Sequence, residues 1–505
     1  MDSVNFNNTD LLCSDLPTQP IENYGKILIT GASGYIGGRL ISELAARGYS
    51  LRLMVRGDSK DYRDQWPDHE IFQCDAHDPD RVNITLKGID TVYYLIHSLS
   101  LGRKEFEAAD IKAARNFRIA AEKNNVKRII YLGGMGDQTS PLSAHLKNRL
   151  EVANELRQGP VPVTILRAAI IIGSGSASYE IIKHLVQKLP FIPCPHWSKN
   201  KCQPISIRDA IKYMVGVLEV PETAGKDFCI GGREILSYED MLKELGSVLG
   251  IKTYLLQIPF SNLCCYSYIA SLVTPVPRSI TACLMEGLIN NVVCQSKEIY
   301  KFLDFTPISF REAVVRALSR EEQDRVYTRW SDAYPPAHEL AYKLHELHSH
   351  PTYSTVYSLE TKQPAPSLFT SMCKIGGKEG WFNNTWMWKA RGMIDRIFMG
   401  VGSSRGRKRY SSLRVNDVID FWRVEDIITN KRLLLRAEMK LPGRAWLELK
   451  IKQGVNKNTI SVIPYYYTNS WFGKLYWFIF LPFHHFLFKH LLEEIDRRCN
   501  KQPVV

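Results

Sequence analysis

Three glycines stand three apart in Thr30-Gly31-Ala32-Ser33-Gly34-Tyr35-Ile36-Gly37. They lie between the apolar run Ile27-Leu28-Ile29 and the helix-like stretch Arg39-Leu40-Ile41-Ser42-Glu43-Leu44. Strand, glycine turn and helix in that order set a pyrophosphate on a helix N-terminus, where unbonded N–H groups and the helix dipole both favour negative charge. Gly31 permits the tight turn, Gly34 lets the backbone approach the phosphates, and Gly37 allows close helix–strand packing. The next group with chemistry is Arg56, about 20 residues further on, at the end of the second expected strand. There a carboxylate selects the ribose 2′-OH of NAD and an arginine accommodates a 2′-phosphate. The pattern favours NADP(H), with NAD(H) as the alternative.

Those residues need a sheet to hold them. Between Lys26 and Arg167 strand-like stretches at 26–30, 50–55, 70–74, 91–96, 128–132 and 163–166 alternate with helix-like ones at 35–47, 79–86, 104–123 and 143–157. Short apolar strands separated by helices predict a buried parallel sheet, and right-handed crossovers make it doubly wound. From Gly173 to about Ser319 the elements shorten into what reads as a substrate-side cap, with helices expected at 206–218, 237–249 and 261–273. The expected organisation is a disordered arm at 1–23, a dinucleotide domain with its cap at 24–320, a linker at 321–366 and a second domain at 367–498. In the linker His345 and His348 are three apart on an expected helix. Without a third ligand they read as a solvated helix end, and no metal is expected. Beyond Pro366 aromatic and basic residues crowd together. Strands are expected at 417–424, 432–439, 445–452 and 459–467 and a long helix at 471–498, which makes an α+β domain.

The chain has 505 residues, 45% of them hydrophobic, and a formal charge of +13. Such a charge favours acidic partners: nucleotide phosphates and anionic headgroups. No nucleic-acid-binding signature accompanies it, so nucleic acid is excluded as a partner. The eleven cysteines lack CxxC spacing and are odd in number. They read as free thiols of a reducing compartment, so the expected location is cytoplasmic, with a peripheral membrane contact. The arm at 1–23 has no Lys or Arg and resembles neither a secretory nor a transit peptide. Residues 475–492 are apolar but interrupted by Pro482, His484, His485, Lys489 and His490, which suits a buried or interfacial helix better than a span. The basic run Arg405-Gly406-Arg407-Lys408-Arg409 has two equal readings, a phosphate or headgroup contact and a solvated β-turn.

The glycine turn, Asp75, Tyr94-Leu95-Ile96, Leu166-Arg167 ahead of Gly173, and Gln203-Pro204-Ile205-Ser206-Ile207-Arg208-Asp209 resemble extended and atypical short-chain dehydrogenase/reductases of the NmrA-like and complex-I-accessory-like branch. Arg391-Gly392-Met393-Ile394-Asp395, Asp420-Phe421-Trp422-Arg423-Val424 and the stretches 438–446 and 476–484 extend the likeness to two-domain, YbjT-like proteins. In those a domain of unknown function with a START-like, polyketide-cyclase-like fold follows the reductase domain. The resemblance covers roughly residues 25–495. It implies a Rossmann fold followed by a helix-grip domain. It also implies that Gly31, Ser33, Gly34, Tyr35, Ile36 and Gly37 hold the pyrophosphate and Arg56 the 2′-phosphate. Asp75 and Ala76 would face the adenine, Leu95 and Ile96 the adenosine ribose, and Ala168 and Ala169 the nicotinamide.

Active members of that superfamily use a Ser/Thr with a Tyr and a Lys four residues apart, the Lys binding the nicotinamide ribose and the Tyr passing a proton. Here Gly133 and Gly134 occupy the serine region, Ser143 the tyrosine position, and Lys147 the lysine position. Candidate replacements for the phenol are His97, after the fourth strand, and His145. The latter is two residues from Ser143 and so expected on another helix face. Each is weighed against a purely structural imidazole. The implied function is an NAD(P)H-binding oxidoreductase acting on a lipophilic substrate. The alternative is a non-catalytic NADP(H)-binding sensor or scaffold whose C-terminal domain binds lipid, quinone or a membrane complex.

Overall fold

The computed structural model describes residues 12–97, 103–135, 143–259, 262–322, 328–332, 343–347, 350–376, 380–381, 385–397, 400–402, 405, 407 and 413–499. Two compact units divide the chain, residues 1–273 with 278–336 and residues 274–277 with 337–505.

The first unit is built on a seven-stranded parallel sheet. Its strands are β1 (Ile27–Ile29), β2 (Leu51–Val55), β3 (Glu70–Gln73), β4 (Thr91–Tyr94), β5 (Arg128–Gly134), β6 (Val163–Ala168) and β7 (Asp227–Ile230), in the order β7-β6-β5-β4-β1-β2-β3. Helices α1 (Tyr35–Ala46), α2 (Pro79–Thr85), α3 (Arg103–Lys123), α4 (Ala144–Arg157), α5 (Ala177–Lys188) and α6 (Ile207–Glu219) alternate with them. Strand side chains alternate faces. Ile27 and Ile29 join one core with Leu40, Ile41, Met214 and Leu218. Leu28 joins the other with Val82, Phe117 and Val152. Both faces are therefore covered, as the apolar strands require. The order reverses between β1 and β4, which opens a crevice at their carboxyl ends.

Expected and observed boundaries in this sheet agree within a few residues, the scatter normal for element ends. The seventh strand, Asp227-Phe228-Cys229-Ile230, was not expected; its pairing with β6 defines it. The cap adds α7 (Tyr238–Leu249), α8 (Leu263–Val273), α9 (Arg278–Glu286) and α10 (Phe310–Glu322), so all three helices expected there are present.

Two domain expectations are corrected. The arm is ordered from Leu12: Leu12, Cys13 and Leu16 are buried, and the Leu12 and Cys13 N–H groups donate to the buried Glu43 carboxylate. Asp15 pairs with Arg208 and Lys212 at 2.7 and 2.8 Å. A buried carboxylate needs donors, and this otherwise polar segment supplies them. Residues 1–11 lie outside the described residues. The supposed linker also contributes structure at both ends. Thr328 and Trp330 pack in the first unit through Arg39 and Gly175, whereas β8 (Tyr353–Ser354) and β9 (Tyr357–Thr361) belong to the second sheet. His345 sits in a single 3₁₀ turn, Leu344–Glu346, rather than a helix, and His348 lies outside the described residues. Among the described residues no group of three or more His, Cys, Asp or Glu is arranged to hold a metal.

The second unit is an antiparallel sheet. Its other strands are β10 (Val418–Ile419), β11 (Trp422–Ile428), β12 (Arg432–Ala437), β13 (Arg444–Lys452) and β14 (Asn458–Tyr467), in the order β8-β14-β13-β12-β11-β10, with β9 also on β14. The expected strand at 417–424 is split by Asp420, which turns the chain with φ 53° and accepts the Trp381 indole N–H at 2.8 Å. Helices α11 (Ala365–Met372), α12 (Thr385–Ile397) and α13 (Trp471–Cys499) complete the unit. Leu487, Phe488, Leu491, Leu492 and Ile495 of α13 enter its core.

Arg405 and Arg407 were expected on a surface turn or against headgroups, and both are buried. Arg405 pairs with Glu438 at 2.7 Å and Arg407 donates to the Cys373 and Ile375 carbonyls. Their charges satisfy acceptors inside the unit; Gly406, Lys408 and Arg409 lie outside the described residues. All eleven cysteines are free. Among the described residues no helix is long and apolar enough to cross a membrane.

Candidate functional site

The glycine loop is built from β1 outward. Thr30 donates through its N–H and its hydroxyl to the Tyr93 carbonyl and accepts from the Leu95 N–H at 2.8 Å, tying the ends of β1 and β4 together. Gly31 then turns with φ +62°, and a Cβ there would lie 3.1 Å from the Leu95 carbonyl oxygen. Gly37 lies under the same turn: a Cβ would come within 2.4 Å of the Gly31 carbonyl oxygen, so only glycine fits. Gly34 is the N-cap of α1. It supplies no side-chain acceptor, and no acidic side chain occupies the first turn. An anion is the partner that suits such an end. Gly31, Ser33, Gly34, Tyr35, Ile36 and Gly37 are thus brought together as one cradle.

Arg39, which the sequence reading passed over, fastens this cradle. It donates to the carbonyls of Tyr35, Ser174 and Thr328 at 2.8 to 3.1 Å and lies 4.2 Å above the Tyr35 ring. Its place in an exposed-looking helix stretch gave no signal of those contacts.

At the rim, Arg56 follows β2 and Asp75 follows β3. Asp75 accepts from both the ring and the backbone N–H of His77 at 2.9 Å, and these bonds, with the charge of Arg56, hold its carboxyl well below the usual range. The same contact raises His77. Ala76 is buried and its carbonyl accepts from Asn116. Leu95 and Ile96 line the exit of β4, partly buried, and Ala168 ends β6, with Ala169 following it.

A second cluster lies where β4 gives way to His97. The His97 and His145 rings are 5.0 Å apart. His97 Nδ1 is 3.1 Å from Asp110 Oδ2, which also accepts from Asn148 Nδ2 at 3.0 Å. Burial pulls His97 down to about 4, aided by Arg149 and opposed by Asp110. Burial likewise pulls His145 well below its usual value, with His97 and Arg149 adding to it. Both rings are therefore neutral at pH 7. The Asp110 bond fixes the His97 proton on Nδ1 and leaves Nε2 an acceptor. His97 Nε2 and His145 Nδ1 are both buried without a hydrogen-bond partner. Two orphaned imidazole nitrogens side by side call for a ligand or water.

The catalytic expectations on α4 are corrected by its register. Ser143 is not in the helix: it is the N-cap, and its hydroxyl accepts from the Leu146 N–H at 3.3 Å. The helical-wheel argument that sent His145 to another face therefore does not apply, and His145 turns toward His97. Lys147 occupies the outward face, 69% exposed, with its ammonium 3.8 Å from Glu151. The inner pair four residues apart is His145 and Arg149. Arg149 is buried 5.1 Å over the Tyr131 ring and 3.9 Å from Asp110. Gly133 and Gly134 leave no side chain at the serine position, and a Cβ on Gly134 would meet Leu146 at 3.0 Å.

Residues 31–188 match a family model described as NAD(P)H-binding, and residues 348–491 match one described as a protein of unknown function, DUF2867. Among curated proteins the chain is similar to NADH dehydrogenase [ubiquinone] 1 alpha subcomplex subunit 9, mitochondrial, of Dictyostelium discoideum. The two are 25% identical over 242 residues, 46% of this chain and 66% of the relative. It is also similar to the photosystem II assembly factor Ycf39 of Trieres chinensis, 22% identical over 210 residues, 41% of this chain and 64% of the relative. The chain thus spans just under two thirds of the length of each. A solved triphenylmethane reductase of Citrobacter sp. aligns with TM-score 0.49 and 18% identity, covering 58% of this chain and 99% of that one. The first unit carries an NAD(P)H-binding domain on its parallel sheet.

Proposed function

We propose that the chain is an NADP(H)-preferring oxidoreductase acting on a lipophilic substrate, with His145 and His97 in place of the missing phenol. The observation that carries this reading is the neutral, orphaned imidazole pair anchored on Asp110 at the mouth of β4. When bound, the nicotinamide supplies or accepts a hydride. The cradle at Gly31–Gly37 binds the pyrophosphate, and Arg56 binds the 2′-phosphate. A neutral His145 donates one N–H to the substrate oxygen, as a neutral imidazole does when its pKa is depressed. His97, oriented by Asp110, holds an acceptor nitrogen beside it and connects the donor to further proton exchange.

The test is NADPH consumption across carbonyl, quinone and enone panels. His145→Phe is expected to lower kcat by about 10²–10⁴-fold with the NADPH Kd unchanged. Full turnover in that variant removes His145 from the mechanism. For cofactor choice, Arg56→Ala is expected to weaken NADPH binding by about 10–100-fold, the worth of a charge-assisted hydrogen bond, and to leave NADH binding within about twofold. Equal losses for both nucleotides in calorimetry would refute 2′-phosphate recognition.

A non-catalytic NADP(H) sensor is the second reading. It is favoured by Ser143, whose hydroxyl is spent on capping, and by Gly133 and Gly134 at the serine position. Nucleotide-dependent stabilisation without turnover on any panel would select it. We also read the second unit as a helix-grip, START-like fold that encloses an apolar ligand. The antiparallel sheet with α13 packed on it through Leu487, Phe488, Leu491 and Leu492 supports that reading.

A further inference from the structure

Helix α13 is apolar on both sides over its first four turns. Gly473 and Trp477 face inward, and so does Leu487 where the buried stretch begins. Yet Trp471, Phe472, Leu475, Phe478, Ile479, Phe483 and Phe486 are each 44–69% exposed. At about 100° per residue these seven fall on one outward stripe, roughly 22 Å long. Further along the same face the residues become Lys489, His490, Glu493, Asp496 and Arg497. One helix thus presents two outward surfaces, an apolar one and a charged one, joined end to end.

Neighbouring α12 also leaves apolar side chains uncovered. Its only acidic residue, Asp395, is buried, accepting from the Gly402 and Lys440 N–H groups, and Arg396 is buried too. Trp386, Met393, Ile394 and Ile397 point outward. Arg391 joins the two helices through a 3.3 Å bond to the Tyr476 hydroxyl. A helix hydrophobic all round belongs in an apolar medium, and an exposed apolar patch of this extent marks a binding surface. Neither helix is long and apolar enough to span a bilayer.

We propose that this face of the second unit lies in the surface of an anionic lipid bilayer, with α13 in the plane of the interface. Charge complementarity selects the occupant. No carboxylate occurs in α13 before Glu493, while Lys474 and Lys489 are exposed beside the stripe, as is Lys389 on α12. Trp and Phe on one face with lysines at its edges is the composition of an interfacial helix, which seats its apolar side about 5–10 Å deep and draws on anionic headgroups. The inference goes beyond the nucleotide chemistry and stands whether or not the first unit turns over a substrate.

Flotation of the full chain with phosphatidylcholine vesicles, with and without phosphatidylglycerol, tests it. The chain is expected to float with phosphatidylglycerol vesicles at low salt and at least tenfold less with phosphatidylcholine alone. The variant Phe478→Glu/Phe486→Glu should lose at least tenfold of that binding, and Lys474→Glu/Lys489→Glu should lose the anionic preference. Phe191→Glu, equally exposed but in the first unit, should bind as the unaltered chain does. Circular dichroism melts confirm that each variant is folded. Absence of flotation at low salt overturns the proposal. So does undiminished binding by the folded Phe478→Glu/Phe486→Glu variant, or a dimer whose formation protects α13 from hydrogen exchange without lipid.

Discussion

Gly34→Asp is expected to abolish NADPH binding while leaving α1 as stable as before or more so. Gly34 has φ −76° and ψ 174°, an extended conformation open to any residue, and it is the N-cap of α1 with no side-chain bond. Aspartate is among the best N-cap residues and exceeds glycine there by only a few tenths of a kcal/mol. A Cβ there meets only the Gly31 carbonyl oxygen, at 3.1 Å, which asks for an adjustment of a few tenths of an ångström. The new carboxylate would sit where the pyrophosphate belongs. Two like charges about 4 Å apart at an effective dielectric near 20 repel by about 4 kcal/mol, close to a thousandfold in Kd. Calorimetry should show the loss and a melt should show an unchanged or raised Tm. Retained tight binding would mean that the loop does not hold the phosphates. Gly37 is a different case, because a Cβ there strikes backbone and the turn itself must move.

Glu438→Ala is expected to destabilise the second unit by about 3–5 kcal/mol, the usual cost of stranding buried cationic partners. Glu438 bonds Arg405 at 2.7 Å and Arg423 at 2.5 Å, and all three are buried. Burial alone would raise its carboxyl, but Arg423 and Arg405 outweigh that and hold it at about 2. Removing it takes the shared carboxylate away from two buried guanidinium groups. A loss of that size is a large fraction of a domain's total stability. The linkage sign follows from the depressed pKa. The stabilisation is fully present above the unfolded value of about 4.3 and is lost as pH falls toward about 2. Urea melts at pH 7 and at pH 3 should therefore differ more in the unaltered chain than in the variant. A stability change under 1 kcal/mol at pH 7 would refute the role of the cluster.

The first unit was legible because its signals are local. An Ile-Leu-Ile run before a glycine turn, and apolar strands spaced by helices, specify the parallel sheet without knowledge of what packs on it. The long helix α13 and the strands around Trp446 and Tyr465 were equally readable from periodicity. The N-terminal arm was misread because three apolar side chains in a polar segment carry little weight until Glu43 is seen to need the backbone donors of Leu12 and Cys13. Arg405 and Arg407 were misread for the converse reason. A basic run looks solvated unless its distant acceptors are known: Glu438 for Arg405, and the Cys373 and Ile375 carbonyls for Arg407.

The same division holds at the site. Sequence alone determined the glycine turn, because the positive φ of Gly31 and the close approach of Gly37 to the Gly31 carbonyl are set within a few residues of chain. It also determined the place of Arg56 just after the end of β2. Only the tertiary structure decided which residues of α4 face inward. The helix buries Leu146, Arg149, Val152, Ala153 and Leu156, which leaves Lys147 outward, and Ser143 caps its start just ahead of His145, whose ring meets His97. Only packing in three dimensions partly buried both imidazoles beside Asp110 and Arg149, since desolvation depends on neighbours contributed by β4, α3 and α4 together. It likewise left the aromatic stripe of α13 uncovered, because composition records how apolar a segment is and not which of its faces the fold leaves open.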